Sequence, residues 1–136
     1  APFQDDPPPD APPGRTDGLW EHEVVEVFIC GAGDRYLELE LAPERYLFLE
    51  FEGRRKRVAD EIPGVTWTTA LRDRATASTW SATLTVPGER LPPAPLRWNA
   101  YAAHGQGAER RLLAMHPVPG ERPDFHDLSA FRPLPL

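Results

Sequence analysis

The segment Tyr36-Leu37-Glu38-Leu39-Glu40-Leu41 alternates apolar and charged residues without a break. A strand sends successive side chains to opposite faces, whereas a helix would scatter these three leucines around its circumference. The alternation therefore predicts a strand in which Leu37, Leu39 and Leu41 face the core and Glu38 and Glu40 face away from it. The same period returns in Tyr46-Leu47-Phe48-Leu49-Glu50-Phe51, just beyond Ala42-Pro43. So short a separation predicts a hairpin joining 37–41 to 46–51.

The rest of the chain follows the same rule. Glu23-Val24-Val25-Glu26-Val27-Phe28-Ile29-Cys30 is β-branched and apolar, and Gly31-Ala32-Gly33-Asp34 ends it. Segments 65–71, 75–86, 96–103 and 111–115 also read as strands. In 75–86, Trp80, Ala82, Leu84 and Val86 share one face, and Thr79, Ser81, Thr83 and Thr85 share the other. Val25, Val27, Ile29, Leu37, Leu39, Leu47 and Leu49 are the expected core. No segment sustains a 3.6-residue period, so the class is all-β, an antiparallel sandwich or barrel. Residues 1–18, with Asp5-Asp6-Pro7-Pro8-Pro9 and Pro12-Pro13-Gly14, cannot build a helix or a central strand. They read as an extended Pro-rich N-terminal arm, leaving 19–136 as the domain.

A single domain accounts for 136 residues. A chain of this size buries roughly 68–70% of its unfolded surface, enough for a core without metal or disulfide. Cys30 is the one cysteine, so no intrachain disulfide can form. The net charge of −6 and pI near 5.2 argue against nucleic acid as a partner. No apolar run approaches the roughly 20 residues that span a bilayer, so no membrane partner is expected. No secretory leader is visible, and a cytoplasmic location is the expectation. The chain begins at Ala1, which suggests a processed N-terminus or a piece of a longer protein.

Three segments together carry a family resemblance. They are Leu19-Trp20-Glu21-His22-Glu23-Val24-Val25-Glu26-Val27-Phe28, then Tyr36-Leu37-Glu38-Leu39-Glu40-Leu41-Ala42-Pro43, then Leu113-Ala114-Met115-His116-Pro117 with Pro123-Asp124-Phe125-His126 and Ala130-Phe131. In order and spacing they resemble the family-9 carbohydrate-binding modules and the wider DOMON-like superfamily, closest to its small standalone members. Arg97-Trp98-Asn99-Ala100-Tyr101 fits that family's penultimate strand. The resemblance spans about residues 19–134 and implies a β-sandwich of jelly-roll type. It further implies a sugar held between two tryptophans. Trp20 matches the first, and the second would fall near Met115-His116, where neither residue is a carbocyclic aromatic. Arg132 replaces the glycine that follows the terminal Phe in the family, and its first strands have no counterpart here.

The candidate binding residues are Trp20, Glu26, Arg97, Asn99, Tyr101 and His116. If the first strand begins at Trp20, then Trp20, His22, Val24 and Glu26 share a face opposite Val25, Val27 and Ile29. An indole plate beside a carboxylate suits a pyranose: one packs on C–H, the other accepts from hydroxyls. Edge packing by Trp20 and an arginine partner for Glu26 would read the same. Arg97, Asn99 and Tyr101 place a guanidinium, an amide and a phenol on one face, which suits either a polar ligand site or a solvated surface. His22, His104, His116 and His126 lack the spacing of a zinc signature, and adjacent Met115-His116 point oppositely, which disfavours haem. Ser78, Ser81 and Ser129 sit in no nucleophile elbow, and no carboxylate pair is singled out for glycosidase chemistry. Arg54-Arg55-Lys56-Arg57 reads as a solvated turn or a local anionic contact. The sequence thus points to a non-catalytic domain binding a carbohydrate or other small polar ligand, without cofactor or metal. The alternatives are a small hydrolase or metal-dependent enzyme using the histidines, or a protein-interaction module pairing through an open sheet edge.

Overall fold

Strands form where the alternation predicts them, and three short ones form where it predicts none. The computed structural model describes residues 12–73, 78–105, 107–121 and 123–135; most of the N-terminal arm, residues 1–11, lies outside them. A two-residue β1 (Gly14–Arg15) precedes β2 (Val24–Cys30), β3 (Arg35–Ala42), β4 (Arg45–Glu52) and β5 (Arg57–Ala59). Then come β6 (Thr66–Asp73), β7 (Ser78–Thr85), β8 (Arg97–His104), β9 (Arg111–Ala114) and β10 (Arg132–Pro133). The larger sheet runs β1-β4-β3-β2-β8-β10, with β5 added to β4 and β9 added to β8; β6 and β7 form a second sheet. The β3–β4 hairpin sets Leu39 opposite Phe48 and Glu40 opposite Leu47. The pairing of β1 with β4 is parallel, so the sheet is mixed and not purely antiparallel as the sequence suggested. No helix among the described residues is long and apolar enough to cross a membrane.

One face of the large sheet packs on the small one. Ile29, Leu37, Leu39, Leu41 and Phe48 meet Trp80, with Trp67, Leu84 and Val86 alongside, and Val25 and Val27 are partly buried at the same layer. Thr79, Ser81, Thr83 and Thr85 face outward, as the alternation requires.

The opposite face departs from expectation. It carries a second buried cluster that includes Val24, Phe28, Tyr36, Leu47, Leu49, Phe51, Tyr101 and Phe131. Leu47 and Leu49 are therefore buried, but on this face and not between the sheets. The cover is formed by residues 117–121 and 123–131, of which Val118, Phe125 and Leu128 pack on the cluster. Phe125 stacks on Tyr101 with centroids 3.9 Å apart. Phe28 makes edge contacts to Tyr101, His126 and Phe131. Each such pair contributes roughly 0.5–1.5 kcal/mol beyond area burial. Glu38 and Glu40 lie on the face away from the inter-sheet core, as the alternation predicts, but under this cover, 4% and 0% exposed.

The turn after β2 is sterically closed. A Cβ on Gly31 would lie 2.5 Å from the Pro93 carbonyl oxygen and 2.6 Å from Pro92 Cβ, whereas one on Gly33 would meet nothing. The Ala32 amide also donates to the Pro93 carbonyl at 2.9 Å, which fixes that approach. Gly31→Ala should destabilise the fold by about 1–3 kcal/mol, the range for overpacking. Gly33→Ala should stay within about 0.5 kcal/mol of the parent. Urea unfolding midpoints of the two variants check this directly.

Candidate functional site

On the covered face, the sheet and the 117–131 segment do not close completely. Between them lies a cavity of about 460 Å³, lined by Trp20, Glu26, Glu38, Leu49, Phe51, Arg55, Arg57, Ala103, Arg110, Leu112, Pro123, Phe125 and His126. That volume is in the range of small-molecule sites, roughly 300–1,000 Å³. A smaller cavity of about 330 Å³ lies on the other side of the large sheet, beside Tyr46, Phe48 and Trp67.

Trp20 reaches the mouth from a 3₁₀ turn and not from a strand. Gly18 takes φ 72°, a left-handed conformation that glycine adopts without strain, and starts the turn over Leu19–Glu21. The turn buries Leu19 completely and leaves Trp20 42% exposed. Arg110 clamps it from the end of the β8–β9 connection, donating to the carbonyls of Trp20 at 2.6 Å and Glu21 at 2.8 Å. The Arg57 guanidinium lies 5.9 Å from the centre of the Trp20 ring.

The floor is acidic. Glu26 on β2 pairs directly with Glu40 on β3, and Glu38 lies two residues earlier on the same face. One carboxylate oxygen from each of Glu26, Glu38 and Glu40 lies within 4.8 Å of the others. Burial, and then the charge of Glu38, push the Glu26 carboxyl from its ordinary 4.5 up to about 8; Arg110 opposes this. Burial raises Glu40 further, with Glu26 and Glu38 adding to it and Arg57 opposing. Glu38 is raised as well, chiefly by burial. Like carboxylates this close cannot all ionise in a dry site.

His126 forms part of the wall. Its Nδ1 shares a hydrogen bond of 2.7 Å with the Tyr36 hydroxyl, which itself accepts from the Arg55 amide at 2.9 Å. Its Nε2 stands 3.7 Å from Glu38. Burial and the nearby Arg55 charge hold the imidazole down at about 4, hence neutral near pH 7. Asp124, two residues before it, ties the segment down by pairing with Arg54 and Arg55. The basic run after Gly53 is thus an anionic contact with Asp124 and, at Arg57, a wall of the cavity.

Of the six residues singled out from sequence, Trp20 and Glu26 line the cavity. Arg97, Asn99, Tyr101 and His116 lie outside its lining. Asn99 is fully buried; its amide donates to the Tyr101 hydroxyl and the His116 carbonyl, and its oxygen accepts from the His116 and Ala100 amides, each at 2.9 Å. Arg97 donates to Cys30 Sγ at 3.3 Å and the Leu128 carbonyl at 3.5 Å. The His116 ring packs edge-on against Trp98. These four support the covering segment from behind. Glu38, Glu40, Arg57, Arg110, Phe125 and His126 were not singled out. The available signal was the Glu-x-Glu alternation beside a strand that carries its own Glu26.

The raised carboxyls make stability fall with pH. The native state keeps protons that the unfolded chain releases above about pH 4.5. In metal-free buffer, unfolding free energy should therefore drop from about pH 4.5 towards 8, at up to about 1.4 kcal/mol per pH unit for each retained proton. Asp124, held below its ordinary 3.8, acts with the opposite sign, so its contribution is lost as pH falls below that value. Urea unfolding across this range should show a shallower slope in Glu40→Gln than in the parent.

Comparison with known proteins gives both sequence relatives and a structural neighbour. Over its full length the chain is 36% identical to the UPF0462 protein C4orf33 homolog of Danio rerio, covering 72% of that protein. The Mus musculus homolog is 34% identical over 97% of the chain, which covers 71% of it. No protein-family model matches the chain. Among solved structures, a "putative carbohydrate-binding protein" from Bacteroides uniformis superposes with a TM-score of 0.66 at 22% identity, over 87% of this chain and 62% of its own.

Proposed function

The chain belongs to the UPF0462 family, and from that premise we propose that it is a non-catalytic binding domain for a carbohydrate or a similar small polyol, held in the cavity behind Trp20. The observation that carries this reading is the half-exposed Trp20 indole at the mouth of a cavity whose floor presents Glu26 and Glu38. An indole face takes the C–H face of a sugar ring, and carboxyl oxygens accept from adjacent hydroxyls. Arg57 and Arg110 add donors at the rim, and Phe125 and Phe51 add apolar wall. The name of the Bacteroides neighbour supports the same ligand class. Asn99, Tyr101, Arg97 and His116 then act by holding the 115–131 stretch in place, and Trp20 and Glu26 by touching the ligand.

A single aromatic plate sets the expected strength. One stacking contact contributes roughly 0.5–1.5 kcal/mol beyond burial, and a millimolar Kd corresponds to about −4.1 kcal/mol. Binding of simple sugars should therefore be millimolar. Titration of a monosaccharide, disaccharide and polyol panel, read by tryptophan fluorescence, tests it. Trp20→Ala should weaken binding about two- to tenfold, and Trp67→Ala, beside the smaller cavity, should leave it unchanged. Micromolar binding indifferent to Trp20→Ala, or a response lost only with Trp67→Ala, would refute the assignment.

A further inference from the structure

The acidic floor contains one residue that a sugar does not explain. Glu40 has no exposed surface, and among the described residues no backbone amide, hydroxyl or basic side chain donates to its carboxyl oxygens; the one group that can share a proton with it is the Glu38 carboxyl. It points into the space shared with Glu26 and Glu38, whose ligand oxygens lie within 4.8 Å of it. Buried carboxylates are retained when they are paired or coordinate a metal.

The rim arginines do not supply that pairing. Arg110 donates to the carbonyls of Trp20, Glu21 and His22. Arg55 is bonded to Asp124, and Arg57 lies over the Trp20 ring. Three carboxyls thus converge, with a ligand oxygen of each within 4.8 Å of the others, and among the described residues no arginine is hydrogen-bonded to any of the three.

We infer that Glu26, Glu38 and Glu40 form a binding site for one hard divalent cation, of the calcium class, on the floor of the cavity. Three carboxylates without a thiol are the donor set of a hard ion. Calcium takes oxygens at about 2.3–2.6 Å, so oxygens on opposite sides of one ion are separated by up to about 5.2 Å. The 4.8 Å limit on this cluster falls within that span. Two of the three ligands lie on sheet positions that also line the cavity, so the ion would keep an open side for water. The three come from paired central strands, β2 and β3, which fixes their spacing before any ion arrives. The inference shares Glu26 and Glu38 with the sugar reading but adds Glu40 and needs neither Trp20 nor a bound sugar.

The test uses the whole chain, stripped with chelator and titrated near neutral pH, without sugar, with Ca²⁺, Mg²⁺, Mn²⁺ and Zn²⁺ in separate arms. Calorimetry should show one Ca²⁺ per chain, and thermal unfolding should shift upward with added Ca²⁺. Glu40→Gln should weaken binding at least about tenfold, while Glu61→Gln, at an exposed acid outside the cluster, should leave it unchanged. Circular dichroism checks that each variant folds; if Glu40→Gln does not, Glu38→Gln carries the same comparison. Two results would overturn the site: no heat and no shift with any ion up to about 10 mM, well above the weakest calcium modules, or saturable binding equal in the parent and both cluster variants. Tighter binding of Zn²⁺ than of Ca²⁺ would overturn the assignment to a hard ion. None of these outcomes depends on whether sugars bind.

Discussion

The docking of the 117–131 segment onto the large sheet decides what the rest of the molecule can be. Without it, the face bearing Val24, Glu26, Phe28, Tyr36, Glu38 and Tyr101 would be a half-polar surface facing water. Phe125 stacks on Tyr101, and Phe131 and His126 meet Phe28. Asn99 bonds both backbone groups of His116, which fixes the chain where it enters the segment. Asp124 ties its middle to Arg54 and Arg55. These contacts turn an outer face into an interior, and the part left unfilled is the cavity.

Covering that face changes the physics of three glutamates. In water, Glu26 opposite Glu40 would be an ordinary unfavourable like-charge pair of small magnitude. Under the segment, the same pair must share protons or find a counter-charge. An apolar residue at position 40 would give a better-packed interior. Local rules broken inside an otherwise consistent sheet are expected where a protein binds something. The neutral state of His126 fits the same environment, since burial and the neighbouring arginines leave no room for a fourth charge near the floor.

Much of the fold was legible because strand alternation is a local signal. Leu37, Leu39 and Leu41 sit in the inter-sheet core where the period-two pattern puts them, and the β3–β4 hairpin follows from the spacing of two such runs. What alternation cannot say is whether the other face is wet. Glu38 and Glu40 read only as facing away from the inter-sheet core, and the element that buries them lies some eighty residues downstream in a Pro- and Gly-containing stretch without periodicity. Trp20 was legible as a residue type but not as a position. The left-handed Gly18 turns the chain into a 3₁₀ turn, so strand register begins at Val24 and cannot be extended back to the indole. Arg97, Asn99 and Tyr101 show the converse: a polar stripe on a strand reads as a ligand face until the backbone that satisfies it is known.

The division of labour between the two faces also explains why one fold can host different sites. The inter-sheet core, from Ile29 through Phe48 to Trp80, is built from residues whose only requirement is volume and apolarity. The opposite face makes particular demands: a glycine at 18 to present the indole, an arginine at 110 to hold that turn, and acids at 26, 38 and 40 in register across two central strands. Fold likeness at 22% identity reports on the first set alone. The proposed site belongs to the second set, and its positions are free to vary without disturbing the inter-sheet core.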